Sequence, residues 1–319
     1  MSDTVLNLKV ARRVEHPGDI VAVDLVAEDG AALPAFTAGA HVDLHVAPGL
    51  VRQYSLLGDP AVPDRYRLAI LLDPASRGGS RAAHRLLTPG AYVKVGAPRN
   101  HFPLAEAATR SVLVGGGIGI TPMLAMAHAL ARRGDAFELR YCTRSAARTA
   151  FLDELAKAPF ANQVRVHHDD AEPAQRFSPA QDLPSPAAGL HLYVCGPAGF
   201  MDWVIEQARA LGYPEGAIHR EYFSAEVDTS GGAFEVVAAR SGKTLRVGEG
   251  VSIVAALAAQ GVDIEVSCEE GVCGTCLVNV LEGEVDHRDV YLTDAEKAAH
   301  DQMLVCCSRA KSARLVLDV

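Results

Sequence analysis

Short apolar or alternating runs, separated by Gly, Pro and Asp, make up most of the first hundred residues. The clearest runs cover residues 21–26, 41–46, 66–72 and 92–97. Runs of this length between turn residues predict β-strands, and their close spacing predicts a small antiparallel barrel. We therefore expect a first domain over residues 1–105, built as an antiparallel β-barrel.

The pattern changes after residue 105. Predicted strands now alternate with predicted helices. The strands cover residues 111–114, 137–142 and 163–168, and the helices cover residues 123–133 and 149–157. A strand, a turn and a helix follow at residues 191–210. This alternation predicts a parallel sheet with helices on both faces. We expect a second domain, of α/β type, over residues 106–226.

A polar segment, residues 224–232, ends in Gly-Gly and predicts a linker. Beyond it, two strands around Ser241 and Gly242 predict a hairpin. A helix at residues 251–259 then precedes a loop rich in cysteine. We expect a third domain, of α+β type, over residues 233–319.

Composition and charge narrow the class of protein. With 319 residues, 49% of them hydrophobic and 22% charged, the chain has the composition of a soluble globular protein of two or three domains. Its net charge of −9 argues against a nucleic-acid partner, because phosphate binding needs a basic face. No run approaches the ~18 apolar residues of a membrane helix, and residues 1–9 do not form a secretory signal. We expect a cytoplasmic protein with no membrane partner.

Five of the seven cysteines lie in the last 52 residues. An odd number of cysteines without an export signal argues against a disulfide framework, so this grouping predicts a metal site. Cys268, Cys273 and Cys276, followed at a distance by Cys306, have the ligand spacing of plant-type ferredoxins, which hold a 2Fe-2S cluster. Cys306 and Cys307 are adjacent, and spacing alone does not decide which of them is the fourth ligand.

The glycines of this loop favour a cluster. Gly271 and Gly274 let the backbone approach the sulfides and direct N–H groups at them, which stabilises the reduced state. The main alternative is a structural zinc site in a non-enzymatic binding or sensing protein. Zinc ribbons, however, favour two separated Cys-x2-Cys knuckles, a pattern that this chain does not have.

Two elements of the first domain predict a flavin site. Arg52, Tyr54 and Ser55 offer a cation for a phosphate, a flat ring for stacking and a hydroxyl for the reactive ring nitrogen, all on one strand. A glycine-rich loop then precedes a predicted helix at residues 81–87, and such a helix N-terminus can bind phosphate. The residues of this loop are Arg77, Gly78, Gly79 and Ser80. Each element also has a simpler explanation when it is taken alone. The first could be an ordinary barrel strand, and the second could be a helix capped by Ser80.

Two turns of the second domain predict a nicotinamide site. Both follow a strand, which is where parallel sheets bind ligands. Glycines in the first turn permit the close approach of a pyrophosphate. The second turn also has a simpler explanation, a buried cysteine at a turn with no ligand. The first turn contains Gly116, Gly117, Thr121 and Pro122, and the second is Cys195, Gly196 and Pro197.

The choice between NADH and NADPH depends on the residues after the next strand. Arg144 lies where an arginine could accept the 2′-phosphate of NADPH. No second basic residue follows until Arg148. NADH is therefore favoured.

Several of these motifs resemble one known family. Residues 267–276, 286–289 and 303–309 are similar to the ferredoxin domain of the phthalate dioxygenase reductase family, which includes the reductase components of aromatic O-demethylases and similar Rieske oxygenases. The flavin and nicotinamide motifs resemble those of the same family, so that the whole chain is covered. The resemblance implies that Cys306 is the fourth cluster ligand, that Cys195 lies near the nicotinamide and that Phe223 shields the flavin. It also implies FMN rather than FAD, because this family has this domain order in a short chain.

The combination predicts an NADH-dependent reductase. A flavin takes two electrons from NADH and releases them singly to a one-electron cluster, with Ser55, Cys195 and Phe223 as the residues at the reacting centre. The resemblance implies a Rieske-type terminal oxygenase as the acceptor. Residues 233–319 contain 14 Asp and Glu against 8 Lys and Arg, and the resulting charge of −6 suits a basic docking surface. The alternative is an FAD-containing reductase of a cytochrome P450 or a diiron oxygenase.

Overall fold

A computed structural model describes residues 5–74, 76 and 78–319. The chain forms two compact units, which we call the N-terminal unit (Met1–Phe223) and the C-terminal unit (Ser224–Val319). Within the described residues, no helix is both long and apolar enough to cross a membrane.

The first half of the N-terminal unit is a seven-stranded antiparallel sheet. A bridge between Leu56 and Leu68 links its edge strands and closes the sheet towards a barrel. Alternate residues of the strands, such as Val42 and Leu44, fill the interior. Helix α1 (Gly79–Leu86) packs against this core, and the strands are β1 (Val5–His16), β2 (Ile20–Val26), β3 (Ala40–Ala47), β4 (Leu50–Ser55), β5 (Tyr66–Leu71), β6 (Tyr92–Gly96) and β7 (Arg99–Asn100).

The second half of the N-terminal unit is a five-stranded parallel sheet in the order β10-β9-β8-β11-β12. Its strands are β8 (Arg110–Gly116), β9 (Ala136–Thr143), β10 (Val164–His168), β11 (Leu190–Cys195) and β12 (Ile218–Glu221). Successive residues of one strand, such as Leu192 and Tyr193, enter two separate cores on the two faces. These cores are covered by helices α2 (Ile120–Arg133), α3 (Leu152–Lys157), α4 (Pro179–Asp182) and α5 (Ala198–Ala210).

The C-terminal unit has a mixed sheet in the order β14-β13-β19-β15-β17, beside a two-stranded sheet, β16-β18. Leu257 and Leu315 lie in its core. The elements are β13 (Phe234–Ala238), β14 (Lys243–Val247), α6 (Ile253–Ala259), β15 (Leu277–Glu282), β16 (Val285–Asp286), α7 (Asp294–Ala299), β17 (Gln302–Leu304), β18 (Arg309–Ala310) and β19 (Arg314–Leu317). The predicted fold classes, an antiparallel sheet, a parallel sheet with helices and a ferredoxin-type α+β unit, are confirmed.

Several predicted boundaries were wrong. Helix α3 begins at Leu152 and not at residue 149, because Phe151 takes a positive φ of 64° and interrupts the helical backbone. Helix α1 begins at Gly79, with Gly78 in the left-handed region at its N-cap, so Ser80 is not the cap. The long strand β1 was not predicted.

Candidate active site and cluster loop

The predicted nicotinamide residues lie at one edge of the parallel sheet. Gly116 ends β8, Arg144 follows β9 and Cys195 ends β11. Because the carboxyl ends of parallel strands meet at one edge, these residues converge there, where open α/β sheets bind their ligands. Glu221, at the end of β12, lies at the same edge.

The glycine turn after β8 and the glycine turn after β11 pack closely against each other. A Cβ atom added to Gly119 would lie 2.3 Å from the carbonyl oxygen of Cys195, and one added to Gly196 would lie 3.0 Å from Cα of Gly116. Gly117, in contrast, has a positive φ of 54° and open space around the position of a Cβ. Glycine is therefore required for the packing of the turns, and Gly117 leaves backbone accessible to a ligand.

Thr121 and Pro122 shape the start of α2. Thr121 is buried and its Oγ1 donates a hydrogen bond of 3.0 Å to the carbonyl oxygen of Ile118. Pro122 lies in the first turn of α2, where its missing N–H costs no helical hydrogen bond. These two residues hold the helix entry rigid beside the glycine turn.

Arg144 is exposed and lies beside two acidic residues. The backbone N–H groups of Asp169 and Asp170 donate to the carbonyl oxygens of Thr143 and Arg144, at 3.0 and 3.2 Å. Asp169 and Asp170 therefore lie at the same edge of the sheet as Arg144, directly after the neighbouring strand.

The two predicted parts of the flavin site meet in the barrel half. Arg52, on β4, lies across the start of α1: a Cβ atom added to Gly79 would be 2.6 Å from the Arg52 Nε. Ser76 Oγ accepts hydrogen bonds from the N–H groups of Gly78 and Ser80, at 3.1 and 3.3 Å, and thereby orders the turn. A guanidinium beside a helix N-terminus can bind a phosphate. The predicted Arg77 lies outside the described residues.

Tyr54 and Ser55 end β4. Tyr54 is half-buried among the residues of the barrel core, and burial raises the pKa of its hydroxyl to about 12. Ser55 is buried, and its Oγ donates to Oε2 of Glu221 across a distance of 3.5 Å. This contact joins the barrel to the last strand of the parallel sheet.

Glu221 connects the flavin motif with the nicotinamide motif. In the register of β11 and β12 it pairs with Cys195, which is completely buried. Burial raises the pKa of Glu221 to about 8, and burial also raises the pKa of the Cys195 thiol. At neutral pH the structure therefore brings together three uncharged hydrogen-bonding groups: the hydroxyl of Ser55, the carboxylic acid of Glu221 and the thiol of Cys195.

Motif analysis did not identify Glu221, although a signal was present. It lies two residues before Phe223, whose ring is 36% exposed, and two residues after His219 on the same strand. Residues two apart on a strand point to one face. Phe223 was assigned by the family resemblance, which gave no role to Glu221. The position of Glu221 at the carboxyl end of a parallel strand is the signal that could have identified it.

The cysteine loop of the C-terminal unit is tightly enclosed. Gly271 and Gly274 both have a φ of +74°, in the left-handed region that favours glycine. A Cβ atom at Gly274 would lie 2.3 Å from the Tyr291 ring, and one at Gly271 would lie 2.6 Å from Cys307 Sγ. Neither position can accept a side chain.

The thiols of the loop form two pairs. Cys268 shares a hydrogen bond with Cys273, and Cys276 shares one with Cys306. The first bond lowers the pKa of Cys273 to about 5 and raises that of Cys268. Within the described part of the chain, no three His, Cys, Asp or Glu side chains converge on a point for one metal ion.

Two thiol pairs suit a 2Fe-2S cluster. Each iron of such a cluster is bridged by two sulfides and needs two further thiolates for its tetrahedral geometry. The residues present therefore fit this group, with one pair for each iron. All four thiols lose their protons when metal binds.

Cys307 shares a hydrogen bond with Cys306 and has further contacts of its own. Its Sγ is 3.8 Å from the carbonyl oxygen of Leu304 and 3.9 Å from Ser308 Oγ. Cys306, in contrast, also pairs with Cys276. These contacts favour Cys306 as the fourth ligand.

The segment 286–292 supports the cysteine loop from outside. The N–H of Val290 donates to the carbonyl oxygen of Gly271 at 3.1 Å. Asp289, with a side chain 0% exposed, accepts hydrogen bonds from the N–H of Leu292, at 2.8 Å, and from Ser308 Oγ, at 3.4 Å. The segment thus joins the cysteine loop to the turn that carries Cys306.

Two family models match parts of the chain. Residues 236–311 match the family model of the 2Fe-2S iron-sulfur cluster binding domain, and residues 96–218 match the N-terminal domain of dimethylamine monooxygenase subunit DmmA-like proteins. The chain is 49% identical over 303 residues to vanillate O-demethylase oxidoreductase of Pseudomonas sp. (strain HR199 / DSM 7063), covering 94% of this chain and 96% of that protein.

Two solved structures resemble the whole chain. Phthalate dioxygenase reductase, described as a modular structure for electron transfer from pyridine nucleotides to [2Fe-2S], is 39% identical, with a TM-score of 0.75 and coverage of 99% of this chain and 98% of that chain. An intact type IV self-sufficient cytochrome P450 monooxygenase is also 39% identical, with a TM-score of 0.86. The match covers 99% of this chain and 41% of the P450 chain.

Proposed function

Because this chain belongs to the phthalate dioxygenase reductase family, we propose that it delivers electrons to a Rieske-type terminal oxygenase. The chain is an oxidoreductase, the reductase component of an oxygenase system, which passes electrons from nicotinamide through flavin to a 2Fe-2S cluster. Its cofactors are FMN, NADH and the cluster. We place it in the cytoplasm, where NADH is available.

The observation that carries this function is the meeting of Ser55, Glu221 and Cys195 in a chain that also holds paired cluster thiols. The two halves of the N-terminal unit each supply a group to the same point. When bound there, a flavin would supply the conversion of two-electron transfer from the nicotinamide into single-electron transfer to the cluster. A protein that only binds zinc at its cysteines does not require these three groups.

We assign the binding roles as follows. Arg52 and the turn at the start of α1 bind the flavin phosphate, while Tyr54 and Ser55 orient the ring. The glycine turns after β8 and β11 bind the nicotinamide nucleotide, with Cys195 beside its reactive ring and Phe223 over the flavin. The residues of the phosphate turn are Arg77, Gly78, Gly79 and Ser80, and those of the nucleotide turns are Gly116, Gly117, Thr121, Pro122, Gly196 and Pro197.

The charges near Arg144 support NADH. Asp169 and Asp170 follow β10 beside it and repel a 2′-phosphate. The ribose hydroxyl of NADH carries no charge and meets no such repulsion.

Cys268, Cys273, Cys276 and Cys306 would hold the cluster, which would supply one-electron transfer. The acidic residues of the C-terminal unit, with a net charge of −6 over residues 233–319, favour a basic surface on the oxygenase. Leu277, next to Cys276, is 36% exposed and offers an apolar contact beside the cluster.

The second candidate acceptor is a cytochrome P450. The self-sufficient P450 monooxygenase contains a segment that resembles this entire chain, with a TM-score of 0.86. A separate reductase of this type could serve a P450 in the same way.

An acceptor comparison tests the proposal. The holoprotein and NADH are mixed with the oxygenase component of a vanillate O-demethylase or with a cytochrome P450, and the rate of acceptor reduction is measured at low and high salt. We expect faster, salt-sensitive reduction of the Rieske oxygenase. A Cys306→Ser variant controls for electrons that bypass the cluster. Preferential reduction of the P450 would contradict the proposal.

A further inference from the structure

The segment 224–232 is attached to the C-terminal unit along most of its length. Its polar composition predicts a flexible linker, but Val227 packs against the core of that unit. Residues 228–232 follow, and the backbone carbonyl of each one accepts a hydrogen bond from the same unit. Among the described residues, none of the hydrogen bonds or ion pairs involves Ser224, Ala225 or Glu226.

Arg288 binds the first part of this segment. Its Nη1 donates to the carbonyl oxygens of Asp228 and Ser230, at 2.6 and 2.8 Å. Its Nε and Nη2 donate to Oδ2 of Asp286, at 2.9 and 2.7 Å, which fixes the guanidinium in place. Between these two carbonyls, that of Thr229 accepts from the N–H of Gly250 at 3.2 Å.

Arg309 binds the second part. It is only 2% exposed, and its Nη2 donates to the carbonyl oxygens of Gly231 and Gly232, at 3.5 and 3.1 Å. Nη1 donates to Val251, at 2.9 Å, and the guanidinium lies 5.1 Å from the centre of the Phe234 ring. Because the buried Arg309 guanidinium has this many partners, its position is fixed, and it fixes the backbone of Gly231 and Gly232.

Gly231 is shaped for this contact. Its φ is +118°, and a Cβ atom there would lie 3.5 Å from Arg288 Nη2 and 3.6 Å from Arg309 Nε. The backbone therefore passes between the two guanidinium groups at a point where glycine is favoured.

We propose that Arg288 and Arg309 form a tether clamp that accelerates electron transfer from the flavin to the cluster. The clamp fixes residues 227–232 on the C-terminal unit and leaves Ser224–Glu226 as the free connection between the two units. In the step concerned, the reduced flavin loses one electron and one ferric ion of the cluster becomes ferrous, so no further reactant is needed. The proposal rests on the flavin-to-cluster path and is independent of the acceptor.

Tether length sets the size of the effect. Three free residues span at most ~11 Å, whereas the whole segment, if released, would span up to ~32 Å. The effective concentration of a tethered partner falls roughly as the −3/2 power of tether length. Release from three to nine free residues therefore lowers the encounter rate about fivefold. Both arginines are positioning residues, because they act through the tether and touch neither cofactor.

The test uses anaerobic stopped-flow mixing of the holoprotein with NADH. Flavin bleaching and cluster bleaching are followed separately in the wild type, in Arg288→Ala and in Arg240→Ala. Arg240 is the matched control, because it pairs with Asp318 at the surface of the same unit, at 2.7 Å. We expect equal rates of flavin reduction in all three proteins. Cluster reduction should be slower only in Arg288→Ala, by at most about three- to fourfold, because Arg309 still holds Gly231 and Gly232 and the free segment grows from three to at most seven residues.

Two further measurements keep the test independent of folding. Arg288 also touches Asp286, and loss of that contact could cost the cluster, so a variant with six Gly and Ser residues inserted after Ala225 lengthens the tether and leaves the clamp intact. This variant has nine free residues, so its cluster reduction should be about fivefold slower than in the wild type. A protease that cleaves after Asp and Glu should cut the wild type after Glu226, but should cut after Asp228 only when the clamp is removed.

The outcomes separate clearly. Slower cluster reduction in the insertion variant, together with new cleavage at Asp228 in Arg288→Ala, supports the clamp. A wild-type rate in the insertion variant, or continued protection of Asp228 in Arg288→Ala, overturns it. If NADH reduces no flavin even in the wild type, the reductase function itself is contradicted, and the clamp loses its basis.

Discussion

Glu221 shows how a single residue acquires its chemistry from its surroundings. On its own, a glutamate in a strand is most often a solvated side chain, and the sequence motifs did not identify it. In the structure, Ser55 donates to its carboxyl group and burial raises its pKa to about 8. It is therefore protonated at neutral pH. In the proposed function this keeps negative charge away from the flavin ring as the ring gains electrons.

We predict a pH dependence from this residue. As pH rises through about 8, Glu221 ionises, and its charge opposes delivery of hydride to the flavin. The rate of flavin reduction by NADH should fall by roughly tenfold across this range in the wild type. In Glu221→Gln, stopped-flow measurement should give a profile without this step. An unchanged step near pH 8 in the variant would assign it to another group.

The same pKa affects folding. The native state keeps a proton on Glu221 that the unfolded chain, with a pKa of 4.5, has lost. The free energy of unfolding should therefore fall as pH rises from about 4.5 towards 8 and through it. Urea titrations of the wild type and Glu221→Gln at several pH values would measure this contribution. It would be absent from the variant, which cannot ionise.

The adjacent pair Cys306 and Cys307 gives a second prediction at the residue scale. Cys306 pairs with Cys276, whereas Cys307 Sγ lies near the carbonyl oxygen of Leu304. Cys307→Ser should keep iron content near that of a full 2Fe-2S cluster, and Cys306→Ser should lose most of it. Iron analysis and the visible spectrum measure this directly. Greater loss from Cys307→Ser would reverse the assignment.

At the scale of elements, the segment 286–292 supports the cysteine loop. Residues 286–289 resemble a family motif, but no sequence pattern shows that the Val290 N–H donates to Gly271 or that the Tyr291 ring covers Gly274. Such contacts join residues far apart in the chain, so they depend on tertiary packing. Helix α7 was missed for a different reason: it has only six residues, although Thr293 and Glu296 form a capping box at its start.

Asp289 should be the most sensitive residue of this segment. The two carboxylate oxygens of Asp289 accept hydrogen bonds from the Leu292 N–H and the Ser308 hydroxyl. In Asp289→Asn, one of these oxygens becomes an NH2 group, which donates hydrogen bonds and cannot accept them. We expect destabilisation of the C-terminal unit on the order of 2 kcal/mol. Cluster loss on heating, followed in the visible spectrum, should begin at lower temperature than in the wild type. Asp294→Asn, at an exposed site, is the matched control and should have little effect.

Other elements were predictable to different degrees. Strand β8 was recognised because residues 111–114 form a short apolar run, as buried parallel strands do. Strand β1 was missed because Lys9, Arg12 and Arg13 interrupt its apolar pattern, although Leu8 and Val10 are buried. The helix at α3 was placed too early, since nothing in the sequence marks Phe151 as a residue with positive φ.

At the scale of the whole molecule, the order of the three fold types was predictable from changes in periodicity and from the cysteine spacing. The attachment of residues 227–232 was not, because a polar segment ending in Gly-Gly has the composition of a flexible linker. Its partners, Arg288 and Arg309, lie more than fifty residues further along the chain.

The most direct test of this account is an anaerobic titration of the holoprotein with NADH, followed by visible and electron paramagnetic resonance spectra, with chromatography of the acid-released flavin. We predict that flavin and cluster bands both bleach, that the signal of a reduced plant-type 2Fe-2S cluster develops and that the flavin is FMN. A colourless protein that contains zinc, or a coloured protein that NADH does not reduce, would contradict the account.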